Sequence, residues 1–410
     1  MIEIRKYKFD ELYSMSSGIN TSPDQAGHGH PFLSFSTVFN NIFIPQELPD
    51  LMNTDEKEQK TFSIRAGDIF LTRTSETLDE LAMSCVALKD YPCATFSGFV
   101  KRLRPIDSEK VYPKFIAFYL RSPIFRKTIT NNAVMTLRAS FNEAIFSYLY
   151  VNLPSYNDQV KIGDFLYSIY EKIEVDKSLK LKFENFVSTI YSFYFINFNC
   201  FDSDKNKKLT FNNVLNRDIP SGWNVFSLSE ICDIRKGDLI TEKTADTSGC
   251  YKVISAGISN SYMHSEFNRE VYTITVSASG ASAGYVNFWR ERIFASDCIT
   301  IRGNTDALTF YIYEYLKTVQ NYIFSQARGS AQPHVYSNDL YNLKILIPPN
   351  EILEKFSNFA FILNERIRNA IEENNQLTTL YNWLLPMLMN GMISIRDAEE
   401  HLAKTFEQNE

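Results

Sequence analysis

Residues 153–173 read "LPSYNDQVKIGDFLYSIYEKI" and residues 347–367 read "IPPNEILEKFSNFAFILNERI". Laid together without a gap, 194 residues apart, they place Pro154 on Pro348, Lys161 on Lys355, Phe165 on Phe359, Glu171 on Glu365 and Ile173 on Ile367. Other positions exchange like for like, such as Lys172 for Arg366 and Tyr167 for Phe361. In the second copy Phe356, Phe359, Ala360, Leu363, Ile367, Ala370 and Ile371 recur at spacings of three and four. Ile162, Phe165, Leu166, Ile169 and Ile173 do the same in the first. That period is one face of an α-helix. Each pattern follows a proline that closes a strand-like run, "YLYVNLP" or "NLKILIPP". A chain built this way must fold as two related halves, each ending in a long helix.

The second helix is expected to run through Leu377, Leu380 and Leu384 to a stop at Gly391. Pro386 is expected to kink it or end it a turn early. The first continues through "ENFVSTIYSFYF" and passes into a polar linker, "NCFDSDKNKKLTFNN". The repeat extends upstream: "FDELYSMSSG" matches "LSEICDIRKG", putting Gly18 on Gly237, and "KFIAFYLRS" matches "FYIYEYLKT". Gly18 to Pro154 spans 136 residues and Gly237 to Pro348 spans 111, so the helices repeat closely and the domains before them do not. The expected layout is a first domain over 1–152, a helix over 153–200, a linker over 201–218, a second domain over 219–346, a helix over 347–393 and an acidic tail over 394–410.

At 410 residues the chain exceeds one ordinary core. No apolar run is long enough to span a bilayer, and "MIEIRKYKFDELYS" has no signal-peptide pattern, so a cytoplasmic protein is expected. The six cysteines, Cys85, Cys93, Cys200, Cys232, Cys250 and Cys298, contain no C-x-x-C pair and read as reduced, mostly buried thiols. The net charge of −6 hides a basic stretch: residues 99–140 hold nine Lys or Arg against two acids.

Four stretches resemble the specificity subunits of type I restriction–modification systems. "IPSGW" (219–223) is similar to the opening of their second target-recognition domain. "ITVSASGASAGYVNFW" (274–289), with "FASDCITIR" (294–302), is similar to its interior. "ARGSAQPHVYSNDLYNLKILIPP" (327–349) resembles its exit, and "LTTLYNWLLPMLMNGMI" (377–393) the end of the second conserved helix. The first half departs from the pattern: it has Pro154-Ser155 where Pro-Pro is common, and no Gly-rich counterpart of 280–284. The resemblance implies an α+β fold with two target-recognition domains of mixed strands and helices. Each is followed by a long helix, and the two helices pack antiparallel as a coiled-coil spacer with pseudo-twofold repetition. It implies a non-catalytic subunit that binds double-stranded DNA and reads an asymmetric, bipartite target. The implied partners are two adenine-N6 methyltransferase subunits and motor–nuclease (restriction) subunits, with no membrane and no cofactor.

Enzymatic alternatives lack their motifs. A methyltransferase needs an Asp/Asn-Pro-Pro-aromatic stretch to hold a flipped base; "IPPN" offers Ile347 and Asn350 at the two ends. There is no G-x-x-x-x-G-K-[ST] loop for ATP. His28 and His30 in "AGHGHP" suggest no third metal ligand and read as a polar surface loop. "SASGASAG" fits either a phosphate cradle or a tight strand connection. Two non-enzymatic alternatives stay open: a coiled-coil scaffold, and a nucleic-acid-binding protein outside restriction–modification.

Arginine suits guanine, glutamine and asparagine suit adenine, and lysine and serine hold phosphate. The first-domain candidates are Arg65, Thr72, Arg73, Thr74, Ser75, Asn131, Asn132 and Arg138, with Lys101, Arg102 and Arg104 as a phosphate rail. Those of the second are Ser277, Ser279, Ser282, Arg328, Ser330, Gln332 and His334.

Overall fold

The computed structural model describes residues 4–20, 22–132, 139–199 and 208–407. The chain divides into two units, one made of Met1–Glu174 with Asn374–Glu410 and the other of Val175–Glu373. Each long helix contributes one half to each unit.

The first unit holds a four-stranded antiparallel sheet in the order Tyr13–Ser17, Val100–Pro105, Ile69–Thr72, Ser84–Val86. Beside it in sequence are three strands, Asp50–Met52, Ala26–Leu33 and Thr95–Phe96, with Phe32 opposite Thr95 in parallel. Arg5–Lys8 pairs with Tyr150–Leu153, the strand that leads into the first long helix. The second unit repeats this strand for strand. Its four-stranded sheet runs Cys232–Lys236, Cys298–Gly303, Thr273–Ser277, Val286–Trp289. Its three strands are Tyr262–His264, Tyr251–Ile254 and Ile293–Ala295, with Val253 parallel to Phe294. Asn224–Ser227 pairs with Lys344–Ile347 ahead of the second long helix. The domains therefore share one topology despite their different lengths. Sequence comparison missed it because a buried strand demands only apolar bulk: Ile69, Phe70 and Leu71 do the work of Ile274 and Val276 without resembling them.

The match of Gly18 with Gly237 has a physical cause. Gly18 N–H donates to the Val100 carbonyl and Gly237 N–H to that of Cys298, the first residue of the equivalent strand. A Cβ on Gly18 would lie 2.2 Å from the Ser97 carbonyl oxygen, and on Gly237 2.0 Å from that of Ser296. Both contacts are with backbone, which cannot step aside cheaply. Gly237→Ala should destabilise the second unit by about 1–3 kcal/mol, read as a lower urea midpoint; wild-type stability would show that the strand end shifts freely.

The long helices cover Tyr156–Tyr191 and Asn350–Met389. The Ser155 hydroxyl accepts the Asp158 N–H at 3.2 Å and starts the first. Ile162, Leu166, Ile169 and Ile173 bury their face in the first unit with Leu377, Leu380 and Leu384. There Asn374 donates its side-chain amide to the Ile173 carbonyl, and Phe118 touches both Tyr170 and Tyr381. In the second unit Phe186 meets Phe359 at 5.4 Å and Tyr191 meets Phe356 at 6.0 Å. In both units rising numbers on one helix meet falling numbers on the other, so the helices are antiparallel.

Three details go beyond the sequence reading. Pro386 neither ends nor shortens the second helix, which reaches Met389; Gly391, at φ 66°, follows it with its N–H on the Leu388 carbonyl. Across the boundary between the stretch read as linker and the second domain, Leu209–Asn212 and Arg217–Pro220 form a hairpin, its turn held by Asn212 Oδ1 accepting the Val214 and Leu215 N–H groups at 3.0 Å. The acidic tail contains a helix, Ile395–Glu407, capped by Ser394 and Asp397. Its apolar residues Ile395, Ala398 and Leu402 pack on the first unit's core; their three- and four-residue spacing was masked by the acids between them.

Candidate nucleic-acid interface

In the first unit the chain leaves the strand Ile69–Thr72 through Arg73, whose N–H donates to the Phe99 carbonyl and whose carbonyl accepts from Phe141 N–H, both at 2.8 Å. Thr74 and Ser75 then pair with Ser140 and Ala139. This fixes the backbone of Arg73 and leaves its side chain exposed at the end of the sheet. Lys101 belongs to the same end; its ammonium donates to the Ser17 hydroxyl at 2.7 Å. Partial burial, and then the charge of Arg73, hold the Lys101 pKa below the usual lysine range. Thr74 and Ser75 line the rim of a cavity of about 440 Å³ with Phe35, Phe39, Glu76, Glu80 and Phe99.

Other first-unit candidates belong elsewhere. Thr72 is fully buried, and its hydroxyl accepts the Met83 N–H at 2.9 Å, so it is part of the core. The phosphate rail does not form, because alternate strand residues point to opposite faces. Arg102 lies over the Phe96 ring and donates to the Ser63 carbonyl at 2.7 Å, its pKa pushed down to about 10 by burial. Arg104 grips the buried Asp68 carboxylate with two bonds, at 2.7 and 2.6 Å. Arg65 is exposed but lies at the opposite end of the Ile69–Thr72 strand from Arg73. Asn131 is exposed on the helix Pro123–Asn132. The Asn132 side chain and Arg138 lie outside the described residues, as does Cys200.

The equivalent place in the second unit shares one of these bonds. Val335 N–H donates to the Ala278 carbonyl, as Phe141 N–H does to that of Arg73. Arg328 and His334 exchange both backbone bonds, at 2.9 and 2.8 Å, closing a loop that exposes Ser330 and Gln332. The Arg328 guanidinium is 2.6 Å from Asp339 yet 67% exposed. His334 stacks on Tyr336. Ser282 is half-buried in the strand connection. Ser277 and Ser279 are buried; Ser279 donates to Asp297 at 2.6 Å and Ser277 to the Ser279 carbonyl at 3.4 Å. They brace the loop and cannot reach a duplex without unfolding it.

The glycine-rich turn is a strand connection. Gly280 N–H donates to Pro333, Gly284 N–H to Ser277 and Ala283 N–H to Gly280, so these amides already have protein partners. Among the described residues no group of three or more His, Cys, Asp or Glu side chains could hold a metal ion, and no helix is long and apolar enough to cross a membrane. Cys85, Cys232 and Cys298 are buried free thiols, each pushed up to about 12 by burial; Cys93 and Cys250 are exposed. Sequence reasoning missed Phe99, which lies 66% exposed beside Arg73. Its signal was faint: one aromatic after a glycine in "FSGFV".

Two heads whose main sheets share one topology, each with polar loops gathered at the same end of its main sheet, describe a two-headed recognition protein. Residues 15–185 and 220–373 match the family described as the type I restriction modification DNA specificity domain. The chain belongs to that family, and so is a DNA-recognition component of a restriction–modification system, non-catalytic in itself. Among its relatives is the type I restriction enzyme MjaIX specificity subunit of Methanocaldococcus jannaschii, 22% identical over 84% of this chain and 82% of that one. The MjaVIII specificity subunit of the same organism is 24% identical over 36% of this chain and 39% of its own. The crystal structure of a type I restriction–modification S subunit from M. genitalium shares the fold, with a TM-score of 0.63 at 17% identity, covering 94% of this chain and 96% of that chain.

Proposed function

We propose that this chain reads an asymmetric, bipartite duplex target, one half with each head, and directs adenine-N6 methylation and restriction by partner subunits. The observation that carries the reading is the strand-for-strand duplication with unlike loops. The connection after Ile69–Thr72 carries the short helical turn Leu78–Glu80, where the second head has a run of small residues, Ala278–Gly284. Like frames with unlike loops suit two different half-sites, as paired reading elements do in dimeric repressors. The recognition domains on this reading are residues 1–152 and 219–346. The reading residues are Arg73, Thr74, Ser75 and Lys101 in the first head and Arg328, Ser330, Gln332 and His334 in the second.

The partners we propose are two adenine methyltransferase subunits and motor–nuclease subunits. A binding surface for them is supported by apolar side chains left exposed on the long helices of the second unit: Val175, Leu181, Phe361 and Ile362. Exposed apolar area of this kind marks protein interfaces more often than DNA contacts. The test is duplex binding by the chain assembled with methyltransferase subunits, titrated with salt. A reader that neutralises six or more phosphates should lose affinity by roughly a thousandfold between 50 and 200 mM salt. A coiled-coil scaffold would show no such slope. The isolated chain should transfer no methyl group from S-adenosylmethionine to DNA.

A further inference from the structure

Phe99 has a fixed backbone and an unburied ring. Its carbonyl accepts the Arg73 N–H at 2.8 Å and its N–H donates to the Ser97 hydroxyl at 3.2 Å, while the residue is 66% exposed. Facing it across the cavity of about 440 Å³ are Phe35 and Phe39, stacked at 6.0 Å with an interplanar angle of 18°. Their helix, Phe35–Asn40, is capped by Ser34, so this wall is also preformed. The rim carries two hydroxyls, Thr74 and Ser75, and two carboxylates, Glu76 and Glu80.

This chemistry selects its occupant. Arg73 and Lys101, at the same sheet end, attract a polyanion. Carboxylates beside an apolar wall repel phosphate itself, so the group that enters is a base edge. Only one base-edge group in the major groove is apolar, the C5-methyl of thymine. A hydroxyl beside it can donate to thymine O4, and a carboxylate can accept from the N6 amine of the paired adenine.

We infer that the Phe35–Phe39–Phe99 cavity is the specificity pocket of the first head and reads a thymine methyl in its half-site. The inference rests on the DNA-reading function proposed above. The equivalent cavity of the second head, about 240 Å³, is lined by Asp297 where the first has Phe99; Asp297 accepts from Ser279 at 2.6 Å and suits an amino group instead. The same position in two identical frames thus sets different base preferences.

The test uses the assembled methylating complex and its mapped target. Each thymine of the half-site read by the first head is replaced, one at a time, by deoxyuridine, which lacks only the methyl. At one position the wild-type complex should lose roughly fourfold in affinity, the worth of one buried methyl group. Phe99→Ala should lose a similar factor on the natural duplex and become indifferent to deoxyuridine there. Phe99→Leu, which keeps an apolar surface, should retain the discrimination. Indifference of the wild type at every thymine, a half-site without thymine, or unchanged discrimination by Phe99→Ala would overturn the inference. Each of these results still requires specific binding; a complex that prefers no sequence would instead overturn the DNA-reading function.

Discussion

Replacing Arg290 by methionine is expected to cost the second unit about 3 kcal/mol and to loosen its recognition domain from the long helices. Arg290 is 5% exposed in its side chain, and its guanidinium lies 3.0 Å from Glu184 on the first long helix. Its Nε donates at 2.7 Å to Asn364 on the second, and the group sits over the Phe288 ring. Three elements far apart in sequence thus converge on one cation. Breaking a buried pair from one side leaves the partner desolvated and unpaired, at a cost of about 3–5 kcal/mol. Glu184 keeps 21% side-chain exposure, which places this case near the lower end. The check is urea unfolding of the single and double variants. Glu184→Met combined with Arg290→Met should recover part of the loss, because no lone charge remains. A neutral Arg290→Met would show that the domain is held by apolar packing alone.

That cluster also marks where sequence reading stops. The helices were legible because their signal is local: a three–four period over many turns, repeated with five ordered identities. Gly18 and Gly237 were legible because close backbone approach tolerates one residue type only. Arg290 carried no local signal, since its polar partners, Glu184 and Asn364, come from other elements. The same limit explains the failed phosphate rail. Lys101, Arg102 and Arg104 look alike in sequence, and only the buried Asp68, far away in the chain, identifies Arg104 as a structural cation. Thr72 and Ser277 occupy equivalent last positions of their strands, where a small polar residue can be a buried brace as easily as a surface contact. Arg73 and Arg328 are exposed, as the sequence reading expects of turns beside strands.

Exchange of residues 1–152 for the matching domain of another family member is expected to replace one half of the methylated motif completely and leave the other unchanged. The two recognition domains have separate cores, each with its own sheets and its own pair of strands closing the domain before a long helix. Substituting Gln332 alone should act in the same selective way. It should weaken only the second half-site, by about 1–3 kcal/mol if its amide bonds a base in bidentate fashion. A change in both halves after either alteration would mean that the heads do not read independently.

Whether this chain sets the sequence at which partner subunits methylate DNA can be read by mapping N6-methyladenine across the host genome with the gene present, deleted and restored. One motif made of two unlike half-sites separated by a fixed gap is expected. That motif should be methylated when the gene is present, unmethylated when it is deleted, and methylated again when it returns. A methylation pattern identical in all three strains would contradict it.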